Sequence, residues 1–185
     1  NPVALHPGDA NIILIGGAGN GSCSRVYSRS TNAGASFTPA GGADVGLHAD
    51  SSWNNPEPEV VLVVSPHGEV VGAALGNDVN LRDFEGRSAL LLGKAKDNNG
   101  SCAIGPFIRL FDDRFGINEV RNAVVGLNVT GEDGFVLEGS SSMARISRDP
   151  LDLVTHAMGP HHQYPDGVML FCGTMFAPIK DRDAP

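Results

Sequence analysis

The chain has 185 residues, with 13 basic and 21 acidic side chains and a net charge of −8. That length suffices for one domain with a sizeable core, and the acidic balance argues against general binding to nucleic acid or to anionic membranes. No apolar run approaches the roughly 20 residues needed to span a bilayer, and three cysteines without CxxC spacing read as free thiols of a cytoplasmic protein.

Residues 1–50 are rich in Gly, Ser and Ala and weakly patterned; they read as a mobile lid or as a degraded partner domain. Both ends read as cut: there is no initiating Met, and the chain stops at Asp183-Ala184-Pro185 in a loop, so segments are expected to be missing. The apolar stretch Ile12-Ile13-Leu14-Ile15 has no cationic region before it, and a signal peptide is not expected. The glycine-rich stretch at 16–21 follows it as a phosphate loop would, but lacks the Lys-Ser/Thr of that motif.

Beyond residue 50, abundant Gly (24), frequent Pro (12) and short apolar runs predict strands and turns. Residues 60–64 read as a strand buried on both faces. A turn at Pro66-His67-Gly68-Glu69 leads into a second strand at 70–75, making a hairpin. A short helix is expected within 82–92, and strands at 103–111 and 123–130. The turn Gly131-Glu132-Asp133-Gly134 precedes a strand at 135–137. After it, Glu138, Ser140, Ser141 and Ser142 read as a polar loop, either touching substrate hydroxyls or serving turn chemistry alone. Asp149 is the expected cap of a helix that has Pro150 at its first position and Leu151, Val154, Ala157 and Met158 on one face; Gly159-Pro160 ends it. His161-His162 reads as a solvated loop, and 167–172 as a late strand.

The chemistry concentrates at the hairpin's open end. In Asn55-Pro56-Glu57-Pro58-Glu59 two glutamates stand two apart, so in an extended strand their carboxylates face the same way. Like charges at the mouth of an apolar core repel. Protonation, a basic partner or a divalent cation resolves the conflict, and Asp78, arriving from the next strand, favours the cation. Oxygen-only ligation suits Mg²⁺, with Mn²⁺ or Ca²⁺ as alternatives. Three carboxylates on an octahedral ion leave up to about three positions for water and substrate. Against this, a Glu-X-Glu pair is common on solvated strands, and Pro56 and Pro58 suit an edge strand because neither donates a ladder hydrogen bond.

The ordered set Glu57, Glu59, Asp78, Arg82-Asp83, Lys96 and Gly173-Thr174 resembles the fumarylacetoacetate hydrolase superfamily over roughly residues 50 to 185. In that superfamily a Glu-X-Glu strand and an Asp shortly before an Arg-Asp dipeptide bind Mg²⁺, and a later Lys and a Gly-Thr pair complete the site. Glu85 stands where the diketo-acid hydrolases and decarboxylases usually carry Gln, and their N-terminal Gly-Arg/Lys-Asn-Tyr segment is absent here. Arg82-Asp83-Phe84-Glu85-Gly86 and the short gap from Glu59 to Asp78 look like the branch of 2-keto-3-deoxy-pentonate dehydratases. The resemblance implies a β-rich mixed α+β fold: a rolled β-sandwich of the fumarylacetoacetate hydrolase C-terminal domain type with a few short helices. Residues 51–185 would be the metal-binding catalytic domain of a homodimer or homotetramer.

The implied activity is Mg²⁺-dependent dehydration of a 2-oxo acid. Glu57, Glu59 and Asp78 would hold the metal. Glu85 would be the acid/base that moves the C3 proton and assists departure of the C4 hydroxyl. Lys96 would bind the substrate carboxylate or enolate, with a pKa lowered by neighbouring cations for base work; on the residues alone Lys94 is an equal choice. Thr174 would hydrogen-bond the substrate carboxylate. Glu85 reads equally as a solvated helix residue, and Arg82-Asp83 as a structural pair or a carboxylate clamp. Two rivals remain. One is a C–C bond hydrolase or decarboxylase of acylpyruvates or diketo acids, which needs a His from the N-terminal region near the metal. The other is a non-catalytic, metal-stabilised binding module, which needs a metal shell closed by protein ligands. Ser-His-Asp catalysis has no Gly-X-Ser-X-Gly elbow to support it.

Overall fold

The structure is a computed structural model and describes residues 3–5, 12–15, 45–105 and 107–178. The glycine-rich stretch at 16–21, Cys23 and the terminal Asp183-Ala184-Pro185 lie outside the described residues.

Two short strands, β1 (Val3–Leu5) and β2 (Ile12–Ile15), are followed by β3 (Asn54–Asn55), β4 (Pro58–Val64), β5 (Val70–Asp78) and β6 (Asn80–Leu81). A four-residue helix α1 (Arg82–Glu85) leads through two 3-10 turns, Ala89–Leu91 and Lys94–Lys96, to β7 (Cys102–Ile104) and β8 (Ile108–Leu110). Helix α2 (Ile117–Arg121), the ribbon β9 (Val124–Thr130) and β10 (Val136–Ser142), helix α3 (Pro150–Ala157) and β11 (Val168–Phe171) complete the order.

The main sheet runs β1-β2-β8-β5-β4-β11, with β7 also pairing β5, and its pairings are antiparallel. β4 is therefore paired on both sides. The edge position that Pro56 and Pro58 suggest is not taken; Pro58 is instead the strand's first residue, where a missing N–H is tolerated. Alternation along β4 feeds two apolar clusters. Val60, Leu62 and Val64 pack with Val120, Val125, Met143 and Val154, while Val61 packs with Ala74 and Ile108 on the other face. Leu62 and Val61 are both 0 % exposed, and burying such a side chain is worth about 1.5–3 kcal/mol. The strand buried on both faces is as expected, and it makes the floor of the site.

The hairpin turns through Gly68, whose φ of 81° suits its lack of a side chain. The α3 cap is as expected: Asp149 accepts from the Leu151 N–H at 2.9 Å, Pro150 opens the helix, and Ala157 closes it.

The short helix expected within 82–92 is α1, which ends at Glu85, because Gly86 weakens continuation and Ser88 caps a separate 3-10 turn by accepting from Leu90 N–H. Two expectations need correcting. The strand expected at 103–111 breaks into β7 and β8 at Gly105, whose φ is 140°. Glu138, Ser140, Ser141 and Ser142 lie in strand β10 rather than in a loop, paired with β9. Ser141 is 3 % exposed and its hydroxyl accepts from the Met175 N–H, a structural contact.

Candidate metal centre and active site

The β4–β5 register builds the acidic site. Pro58 faces Asn77 and Glu59 faces Gly76, so the start of β4 and the end of β5 share one end of the sheet. The Asp78 N–H donates to Glu57 O at 3.0 Å, and the Glu57 N–H donates to Asn77 Oδ1 at 3.0 Å. One oxygen from each of Glu57, Glu59 and Asp78 lies within 4.8 Å of the others. Glu59 is almost wholly buried, at 3 % exposure. Its Oε2 accepts from the Gly173 N–H at 2.7 Å, which docks the segment after β11 onto the site. Burial raises the Glu59 carboxyl to about 7, against the Gly173 hydrogen bond and with help from the neighbouring carboxylates. Burial also raises Glu57, although Lys96 opposes it.

Lys96 reaches into this cluster from the 3-10 turn Lys94–Lys96. Its ammonium donates to Glu57 Oε2 at 2.6 Å and to the Asp78 carbonyl at 2.9 Å, and lies 3.0 Å from Asp78 Oδ2. Lys94 points elsewhere, to Asp97 at 3.1 Å. Of the two lysines, it is Lys96 that meets the carboxylates. Burial pulls the Lys96 pKa down, but the hydrogen bonds to Glu57 and Asp78 outweigh it and hold it above its ordinary value. The lowered pKa expected for base work is not found; Lys96 is a cation here.

These residues fit a divalent cation. The donor set is all oxygen, as a hard metal requires. Three carboxyls converge there, and burial together with the neighbouring carboxylates raises the most buried of them, Glu59, a conflict that a bound cation would relieve.

Glu85 ends helix α1 and is half-buried. Its Oε2 accepts from Asn80 Nδ2 at 2.5 Å, and its charge is felt at Glu57. Thr174 follows Gly173, and its hydroxyl accepts from the Phe176 N–H at 3.1 Å, which leaves its proton free to donate. Arg82 and Asp83 serve structure: the guanidinium stacks on Trp53 at 5.2 Å, and the carboxylate accepts from the Ser51 hydroxyl at 2.6 Å and the Ser52 N–H at 3.2 Å.

Two features escaped the sequence reading. Asn55 and Asn80 form a buried amide pair behind Glu85. His48 lines an open depression of ≈ 620 Å³ together with Lys96, Asp97 and Asn98, next to the acidic cluster only through Lys96. Its ring packs 5.5 Å from Phe84, and its Nδ1 accepts from the Asp50 N–H. Nothing in the sequence around His48 signals that placement.

No protein-family model matches the chain. It is 29% identical over 141 residues to the 2-dehydro-3-deoxy-D-arabinonate dehydratase of Saccharolobus solfataricus, covering 76% of this chain and 46% of the relative. It is 28% identical over 142 residues to the Haloferax volcanii protein named probable 2-keto-3-deoxyxylonate dehydratase, covering 77% of this chain and 47% of that one. A solved 2-keto-3-deoxy-D-arabinonate dehydratase, complexed with magnesium and 2,5-dioxopentanoate, superposes with a TM-score of 0.66 at 28% identity over 72% of this chain and 46% of its own. The fold is that of the fumarylacetoacetate hydrolase superfamily. The chain spans about half the length of the curated relatives it matches. Within that superfamily fold, the hairpin β4–β5 supplies Glu59 and Asp78, the segment leading into β4 supplies Glu57, and the segments around Lys96 and Gly173 dock onto them. No helix among the described residues is long and apolar enough to cross a membrane.

Proposed function

We propose that this chain is a Mg²⁺-dependent lyase that dehydrates a 2-keto-3-deoxy-pentonate to 2,5-dioxopentanoate. The observation that carries the reading is the convergence of Glu57, Glu59 and Asp78 on one point, with the Lys96 ammonium against two of them and Glu85 beside them. The similarity to dehydratases of this substrate class supports the choice of substrate.

Glu57, Glu59 and Asp78 would hold the metal, with Mn²⁺ or Ca²⁺ as substitutes for Mg²⁺. A bound ion there would supply Lewis-acid stabilisation of the negative charge that develops on a 2-oxo acid. Lys96 places a fixed positive charge beside that carbonyl, where negative charge develops as the C3 proton leaves. The Thr174 hydroxyl or N–H orients the substrate carboxylate. Glu85 takes the C3 proton and returns it to the C4 hydroxyl, so the C4–O bond breaks and water departs; tautomerisation then gives the 2,5-dioxo acid. Each assisted proton transfer is worth about 10²–10⁴-fold in rate. The working assembly in this reading is a cytoplasmic homodimer or homotetramer. That part rests on the family resemblance, and light scattering of the purified protein tests it.

A second reading is a C–C hydrolase of acylpyruvates, for which His48, lining the open depression beside Lys96, is the candidate base. Mass spectrometry of products from paired 2-keto-3-deoxy-pentonates and acylpyruvates, with Mg²⁺ and with EDTA, separates the two. Metal-dependent loss of water from a pentonate supports the dehydratase. Cleavage of an acylpyruvate into two acids supports the hydrolase, and loss of that cleavage in His48→Ala would make His48 the candidate base. Bound Mg²⁺ with no turnover leaves the binding module.

A further inference from the structure

Four polar or charged side chains are buried among the described residues: Asn55, Glu59, Asn80 and Ser141. Glu59 belongs to the acidic site and Ser141 ties down Met175. The two asparagines have no part in the reaction as written, and Asn80 is 0 % exposed. We propose that Asn80 is the positioning residue of the site, fixing the Glu85 carboxyl through one oxygen and leaving the other to exchange protons with substrate. The inference rests on the dehydratase reading, in which Glu85 moves the proton.

Asn55 on β3 and Asn80 on β6 are direct cross-strand partners. Asn55 Nδ2 donates to the Pro56 carbonyl at 3.1 Å, so Asn55 presents its oxygen to its neighbour. Asn80 Nδ2 faces that oxygen at 3.5 Å and Glu85 Oε2 at 2.5 Å. Both amide orientations are thereby set, and the donor face of Asn80 is turned to Glu85. Asn80 Oδ1 is left buried with no hydrogen-bond partner among the described residues. An apolar side chain of the same shape would strand no oxygen there. What the amide gives in return is the contact to Glu85.

That contact is needed because α1 cannot lock Glu85 by itself. The helix has four residues and buries none of them. A neutral amide N–H also suits the task chemically. It donates to a carboxylate oxygen and, less strongly, to the carbonyl oxygen of a carboxylic acid, so it holds Glu85 both before and after the proton arrives. Hydrogen bonds from Asn80 reach Oε2; among the described residues none reaches Oε1, which is left for the substrate.

The test is a double-mutant cycle with Asn80→Leu and Glu85→Gln on the full chain, read by steady-state kinetics and by Mg²⁺ calorimetry. Asn80→Leu is expected to keep Mg²⁺ affinity and KM near the wild-type values and to lower kcat by about 10²-fold, the scale of a misplaced catalytic group. In the Glu85→Gln background the same change should cost almost nothing further, as for residues acting through one another. Full kcat in Asn80→Leu, or losses that multiply in the double variant, overturns the proposal. A second measurement covers a variant that does not fold or a wild type that turns over neither substrate class, the latter outcome being the failure of the dehydratase reading itself. The Asn80 side-chain amide protons, followed by NMR in wild type and Glu85→Ala, should move strongly and lose their protection from exchange in the variant. Unchanged signals mean the contact is not made and the proposal is wrong.

Discussion

Glu59 concentrates the electrostatic conflict of the site in one carboxyl. It is 3 % exposed and pushed up to about 7, so the folded protein holds its proton more tightly than the unfolded chain, where the ordinary value is 4.5. The native state therefore binds more protons than the unfolded state between those values, and stability falls as pH rises through that window. The gap corresponds to about 3 kcal/mol at full expression. Glu57 is displaced in the same direction and deepens the effect. In EDTA the melting temperature is expected to fall from pH 5 to pH 8, and a flat profile would contradict the burial argument. Glu59→Gln keeps an acceptor for the Gly173 N–H and removes the charge. It is expected to flatten that slope, abolish most Mg²⁺ affinity and nearly all turnover, and leave the circular dichroism spectrum unchanged. Glu85→Gln is expected to behave differently, sparing Mg²⁺ binding in calorimetry while lowering the dehydration rate by about 10²-fold or more.

At the scale of elements, the hairpin β4–β5 was the legible part, because its pattern is local. An apolar run bounded by turn residues gives the strand, and a spacing of two puts Glu57 and Glu59 on one face. What the sequence does not print is register. Once Glu59 is set against Gly76, the same register continued outward places Glu57 against Asp78 and Asn55 against Asn80, the latter being the observed β3–β6 pair. The two asparagines were thus recoverable from the hairpin, had its register been carried past the acidic residues. Ser141 was not: nothing in a run of serines says which one is buried under the segment after β11. The β4–β5 register also explains Gly76. A Cβ there would lie 2.5 Å from both Phe171 Cε1 and Val61 Cγ2. Gly76→Ala is expected to destabilise by about 1–3 kcal/mol through overpacking, measured by urea unfolding. Because Phe171 leads directly to Gly173, the variant should also weaken Mg²⁺ binding. An unchanged urea midpoint would mean that β11 moves freely over the site.

At the scale of the whole molecule, the site gathers segments that are far apart in the chain. Lys96 meets Glu57 across 39 positions, and Gly173 meets Glu59 across 114. Such long-range closure is why the motif order could be read from sequence while the role of each residue could not. The short 3-10 turns and the loop after β11 carry no periodicity, and their places are set by what they dock against. It also couples metal to folding. A ligand that binds the native state and not the unfolded chain stabilises by about 2.7 kcal/mol at 100 times its Kd, and for a chain of this size each kcal/mol raises the midpoint by about 2–4 °C. Saturating Mg²⁺ at pH 8 is therefore expected to raise the melting temperature by roughly 5–10 °C over EDTA. Glu85→Gln should show the same rise and Glu59→Gln almost none, since only the second removes a carboxylate from the triad. A full rise in Glu59→Gln would place the metal elsewhere. A missing rise in Glu85→Gln would make Glu85 a ligand, not the group that moves the proton.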